Sequence, residues 1–255
     1  MAITLDKQEY ELKIDPKGAQ IYDMDKLNLK WEVLPDYVKA TRIQIDDPNY
    51  NANYDKTVLD KWGRKDTNTG LYVETPEMVF FRAAHTIAKG LVINNPSLDY
   101  QEAVKNSFEK LANREVFPNT PYMANSGHSE VAEYYQKKIL ERFGIKKDLI
   151  DILPDAKKSL EEITKAGLNG KSQSVYDLLS ELEHEKEQKN QLFACFVLEI
   201  YDSRQSIFKT MDDASEIQKL IGGTGFNFSY LRPANETIGG SGGMTDGPIS
   251  FMAGY

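Results

Sequence analysis

The stretch from Leu192 to Pro233 constrains the fold more than any other part of the chain. It opens on FACFVLEIY, rich in β-branched and aromatic residues and apolar on both faces, as a central strand of a covered sheet should be. DSRQSIFKTMDDASEIQKLI follows as an amphipathic helix capped at Asp202 or Ser203, with Ile207, Met211, Ala214 and Ile217 on one face. GGTGFNFSYLRP then supplies a glycine-rich turn and a second strand. Strand, helix, turn and strand in that order favour a parallel α/β crossover, because parallel neighbours cannot be joined by a tight hairpin. Glycines let a backbone approach a ligand closely. Here they follow a helix and precede a strand, the reverse of the order in dinucleotide fingerprints and P-loops, so alone they specify no ligand.

Cys195 lies inside the first of these strands and is the only cysteine in 255 residues. Two readings are open: a small apolar core filler, as most buried thiols are, or the reagent of the protein. A single cysteine closes no disulfide within the chain, and MAITLDKQEYELKID is broken by charges where a leader or membrane span would be apolar. A cytoplasmic protein with no membrane contact is expected. The net charge of −8 argues against a nucleic-acid groove, which needs clustered Lys and Arg, while one nucleotide in a local pocket remains allowed.

The rest of the chain reads as helical. Residues 1 to about 70 show weak periodicity and a turn-rich cluster at 45–57, so short helices in an irregular region are expected. ETPEMVFFRAAHTIAKG predicts a helix with Thr75 as N-cap, Pro76 in its first turn and Gly90 at its end, burying Met78, Phe81, Ala84, Ile87 and Ala88. His85 then sits beside a core face rather than serving as a ligand. SLDYQEAVKNSFEKLANR predicts a second helix from Ser97. VFPNTPYMANSG, with two prolines around Asn119 and Thr120, predicts a short extended piece, either an ordinary strand-to-loop transition or one presenting Thr120 to a ligand. Three amphipathic stretches between 128 and 190 read as a helical insertion, with His184 on a solvated helix end. The three histidines and one cysteine show no metal-ligand spacing.

Taken together, ETPEMVFFRAAHTIA, PNTPYMANSG, ACFVLEIYDSRQSIFKTMDDASEIQKLIGGTGFNFSYLRP and GGSGGMTDGPISFM occur in the order, and largely with the wording, of the catalytic chain of ribonucleotide reductases. From about Thr75 onward, the insertion excepted, the chain most resembles the adenosylcobalamin-dependent class II enzymes. The resemblance implies an α/β fold that is the first half of a ten-stranded α/β barrel. A mainly helical N-terminal region spans 1–112, and the half-barrel spans 113–255, interrupted by the insertion at about 128–190. Cys195 matches the family's redox cysteine, which with a second cysteine on a later strand reduces the substrate and becomes a disulfide. A strand suits that task because the sulfur must be held rigidly beneath the ribose, and a buried neutral thiol suits a hydrogen and proton donor.

Thr120 matches a substrate-contacting hydroxyl, Ala194 and Cys195 the pair bordering the ribose, and Gly222 and Gly223 glycines passing close to the substrate. Asp202, Ser203, Arg204 and Arg232 fall in the allosteric specificity site, where a deoxynucleoside triphosphate effector sits at a dimer interface built partly from the helix after Asp202. Arginine suits phosphate through its planar fork of donors. RPANETIGGSGGMTDG resembles the loop covering that effector, although a basic residue often found there is replaced near Gly239. Because Cys195 has no second cysteine beside it, the resemblance implies that a separate C-terminal chain completes the barrel and supplies the radical cysteine. Adenosylcobalamin would be bound mainly by that half, and an external dithiol such as thioredoxin would restore the reduced state. A class I enzyme with a metal-containing radical subunit, a non-catalytic nucleotide-binding module, and a truncated piece of a longer chain in place of a natural split stay open as alternatives.

Overall fold

A computed structural model of the chain describes residues 12, 14, 19–42, 52–145, 161, 172–187 and 191–255. They divide into two compact units, one drawn from 1–118 and 123–190 and the other from 119–122 and 191–255.

The first unit is helical. It contains α1 (Met24–Glu32), α2 (Asp36–Arg42), α3 (Ala52–Trp62), α4 (Pro76–Asn94) and α5 (Tyr100–Ala112), the end of α6 (Thr120–Asn125), then α7 (His128–Phe143) and α8 (Ser172–Lys186). α4 is its centre and packs along α5, with α2, α3 and α7 also against it. Its first ten residues are buried all the way round, including Glu77, Arg82 and His85. This exceeds the single apolar stripe that periodicity reveals. Thr75 is the N-cap, yet its side chain makes no capping hydrogen bond, and Pro76 needs no amide partner there. Gly90 does not end α4: the helix runs on to Asn94, because an exposed glycine weakens a helix by only about 1 kcal/mol and nothing reverses the chain there. In α5 the cap is Asp99, whose carboxylate accepts from Glu102 N at 2.8 Å, so the helix starts later than Ser97.

His85 keeps its expected place in the core, with its ring 4.6 Å from that of Phe81 and Nδ1 2.9 Å from the Tyr100 hydroxyl. Burial lowers it to about 4, so it is a neutral packing group. His184 lies exposed in the last turn of α8, as its charged surroundings suggested. Within the 128–190 stretch, α7 and α8 pack on each other and on the N-terminal helices. The amphipathic segment expected at 148–167 lies outside the described residues, apart from Glu161.

The second unit contains the predicted crossover: β1 (Cys195–Glu199), α9 (Arg204–Lys219) and β2 (Gly223–Asn227), followed by α10 (Pro248–Met252). β1 and β2 pair in parallel with Cys195 opposite Gly223, Val197 opposite Gly225 and Glu199 opposite Asn227. Ile200, Ile207 and Leu231 form the buried core, joined by Phe226, Phe228, Phe251 and Tyr255. Ser203 is the cap of α9, its hydroxyl accepting from Ser206 N at 3.1 Å. Among the described residues the sheet has two strands. The expectation of a strand covered on both faces is therefore corrected: burial alternates along β1, and Val197 is 81% exposed. α9 covers one face, and no described element of this unit covers the other.

Candidate functional site on the open face of the parallel pair

Of the candidate substrate residues, the open face carries Cys195 and, opposite it on β2, Gly223. Cys195 points outward and is exposed, which corrects the expectation of a buried thiol. Strand alternation is the cause: Phe196 and Leu198 take the half-buried inner positions, and Cys195, Val197 and Glu199 take the outer ones. Ala194 precedes the sulfur, and its carbonyl accepts from Gly223 N at 2.7 Å, which locks the start of β1 to the start of β2.

The glycines differ in what requires them. At Gly222 a Cβ would lie 2.5 Å from Ile217 Cγ2 and 3.0 Å from Ile217 O, so the packing of α9 onto the turn demands glycine. At Gly223 the nearest atom would be Ala194 O at 3.4 Å, and at Gly225 Phe196 O at 3.8 Å. Neither has a left-handed backbone. The fold itself would accept a side chain at both positions. Their absence leaves the outer face beside Cys195 and Val197 bare, so a planar or ring-shaped ligand can lie directly on the backbone.

Thr120 is placed differently from the extended piece expected. It is the first residue of α6 and is exposed. Asn119 explains the helix: its Oδ1 accepts from Tyr122 N at 2.9 Å, and Pro121 falls in the first turn, where a missing amide costs nothing. Asn119 Nδ2 also donates to Leu192 O at 3.2 Å, tying the residue before Thr120 to the segment that leads into β1. An Asn two residues before a Pro is a helix-start signal that outweighs the extended bias of the neighbouring prolines.

The effector candidates lie at the other end of the pair, where both strands terminate. Arg232 Nε donates to Asp202 Oδ2 at 2.6 Å, and Nη1 donates to Thr237 O at 3.1 Å, which folds the following loop back onto the guanidinium. Each partner of this ion pair is about one-third exposed. Arg204 stands exposed at the first position of α9, where the helix dipole disfavours a cation. Beside them the rings of Tyr201 and Tyr230 stack with centroids 5.8 Å apart, a contact the sequence analysis did not single out. Its only trace in the sequence is one tyrosine shortly after each strand-forming run, Tyr201 after Ile200 and Tyr230 three residues past Asn227. A hollow of the helical unit, lined by His85, Tyr100, Glu130 and Tyr134 among others, contains none of the predicted site residues.

Two family models match the chain: the ribonucleotide reductase all-alpha domain over residues 49–130 and the ribonucleotide reductase barrel domain over 193–255. The chain belongs to the ribonucleotide reductase large-subunit family. The reductase match places all of β1, α9, β2 and α10 in the barrel domain, and residues 131–192 fall between the two matched domains. A vitamin B12-dependent ribonucleoside-diphosphate reductase of Mycobacterium tuberculosis (strain CDC 1551 / Oshkosh) is 52% identical over 64 residues, 25% of this chain and 9% of that protein. The protein of the same name from Thermoplasma acidophilum is 50% identical over 62 residues, 24% of this chain and 8% of its own length. The ribonucleoside-diphosphate reductase subunit alpha of Bacillus subtilis is 33% identical over 67 residues, 26% of this chain and 10% of its own. The chain thus matches less than a tenth of the length of its B12-dependent relatives. No helix among the described residues is long and apolar enough to cross a membrane.

Proposed function

We propose that the chain is the N-terminal part of a ribonucleotide reductase catalytic subunit, carrying the first half of a ten-stranded α/β barrel and one of the two thiols that reduce the substrate. The observation that carries this reading is the register of β1 on β2. It sets the Cys195 sulfur on an open face whose cross-strand neighbours, Gly223 and Gly225, lack side chains that the packing would accept. A ribose lying on that bare backbone has the sulfur beside it, with Ala194 and Gly223 bordering the sugar and Thr120 as a further hydroxyl contact. The two electrons and two protons come from two thiols, which become a disulfide as the 2′-hydroxyl leaves as water. The second thiol, the radical cysteine and the acid–base groups are supplied by the C-terminal half of the barrel. The exposed side chains of β1 are the surface that half would cover.

The names of the B12-dependent relatives point to adenosylcobalamin, whose contribution when bound is radical generation. The open face over Cys195 leaves room beside the sulfur, and we assign none of this chain's residues to holding the group. Asp202, Ser203, Arg204 and Arg232 form the effector site for a deoxynucleoside triphosphate, in a dimer joined through α9. We read 128–190 as an insertion between the all-alpha and barrel domains, within a cytoplasmic enzyme.

The test is reconstitution. The chain is combined with a polypeptide carrying the remaining barrel, adenosylcobalamin, a dithiol such as thioredoxin, and a ribonucleoside di- or triphosphate, and deoxyribonucleotide is quantified. Turnover should require all components and be abolished by Cys195→Ser. Normal turnover by the serine variant would remove Cys195 from the chemistry.

A further inference from the structure

Effector binding by the Asp202–Arg232 end of the parallel pair leaves open which residues hold the base, and the stacked tyrosines beside that ion pair supply an answer. Parallel pairing carries both chains out of the sheet at the same end. Ile200 turns inward and is fully buried, so Tyr201 turns out; Leu231 turns inward at 8% exposure, so Tyr230 turns out. The two rings meet at 5.8 Å between centroids with planes 29° apart, and 56% of Tyr201 and 55% of Tyr230 remain exposed. The Tyr201 hydroxyl donates to the Glu199 carboxylate at its outer edge, leaving the ring face free of that contact. The separation is too small to admit a third ring between them, so a ligand base stacks on an outer face of the pair. One residue on from Tyr201 and two on from Tyr230 stand Asp202 and Arg232, a carboxylate and a guanidinium joined at 2.6 Å. An exposed aromatic platform next to a forked cation complements a planar base joined to a phosphate. The carboxyl ends of parallel strands are also where open α/β sheets take their ligands.

We propose that Tyr201 and Tyr230 are the base-holding residues of this site and bias it toward purine deoxynucleoside triphosphates, because two fused rings overlap an aromatic face more fully than one. The inference rests on the effector reading above. Its test is titration calorimetry on the full 255-residue chain with dATP, dGTP, dTTP and dCTP. Purines should bind more tightly than pyrimidines. Tyr201→Ala or Tyr230→Ala should weaken purine binding about tenfold and narrow the purine-to-pyrimidine ratio. Tyr201→Phe should keep both the affinity and the ratio, whereas Tyr201→Leu, with apolar bulk but no π face, should behave like alanine. Arg232→Ala should weaken all four nucleotides alike. Folded alanine variants with wild-type affinities and base order, or a phenylalanine variant as weak as alanine, would overturn the stacking role while leaving the effector site in place. A wild-type chain that binds none of the four would overturn the effector reading, and this inference with it.

Discussion

The Lys26 ammonium is shared by two carboxylates, those of Asp66 and Glu181, in a nearly water-free part of the helical unit. The two acids respond oppositely. Burial opposes ionisation of Asp66, but hydrogen bonds from Glu181, Lys26 and the Thr69 amide override it and hold the carboxyl well below the usual carboxylate range. Glu181 is lifted to about 7 by burial and by its hydrogen bond to Asp66, against the pull of Lys26. A carboxyl whose folded pKa is raised stabilises the fold while protonated, and that contribution is lost as pH climbs from about 4 through 7. The buried His85 and His128, both lowered chiefly by desolvation, act in the reverse sense, since their contribution is lost as pH falls. The informative quantity is therefore the difference between wild type and Glu181→Gln. The variant should gain on the wild type by about 2 kcal/mol between pH 5 and pH 8, read from denaturant midpoints. Parallel pH profiles for the two proteins would show that Glu181 does not carry the proton.

At the scale of elements, Arg82 does what no local capping residue does for α6. Its side chain is fully buried, and Nη1 donates to the carbonyls of Met123 at 3.2 Å and Ser126 at 2.6 Å. Nη2 donates to Trp62 O at 3.0 Å, and Nε to Glu74 Oε1 at 3.2 Å. The chain leaves α6 through Gly127, whose φ of +75° and whose missing Cβ, otherwise 1.9 Å from Arg82 O, let it run against α4. Burial works against the Glu74 charge, yet Arg82, with Lys30 and His128, holds that carboxyl down at about 2. Arg82→Met would leave Glu74 buried without its partner and several carbonyls without a donor, a loss of about 3–5 kcal/mol by the behaviour of broken buried pairs. Arg82→Lys should fall between, since an ammonium keeps the charge without the fork. Urea denaturation followed by circular dichroism measures both. A methionine variant within about 1 kcal/mol of wild type would show that the network is not what holds these elements.

The whole molecule is shaped by what its barrel-domain unit leaves open. Phe193 is 69% exposed, Val197 81% and Ile249 78%, and β1 and β2 each have a free edge among the described residues. Exposed apolar strands with unpaired edges associate with whatever fits them. At micromolar concentration the chain alone should self-associate, and Val197→Lys should lower its apparent mass in sedimentation while also blocking association with the completing half-barrel. A monodisperse monomer at all concentrations would argue that this face needs no cover. Much of this unit was legible in the sequence: strand, capped helix, glycine turn and strand came out in order, because periodicity and caps are local signals. The openness of one face was not, since an apolar run reads the same whether both of its sides are covered or one.

That contrast holds throughout the chain. The sequence by itself determined where α4 and α9 begin, the parallel sense of the crossover and the family resemblance carried by the Cys195 block. Each of these rests on residues near one another along the chain. Only the tertiary structure decided that Cys195 faces outward, that Asn119 tethers the start of α6 to the segment before β1, that Arg82 and Glu74 lie buried as a pair, and that two tyrosines meet where the strands end. These depend on partners up to dozens of residues away, and burial and pairing are properties of such contacts, which no periodicity encodes.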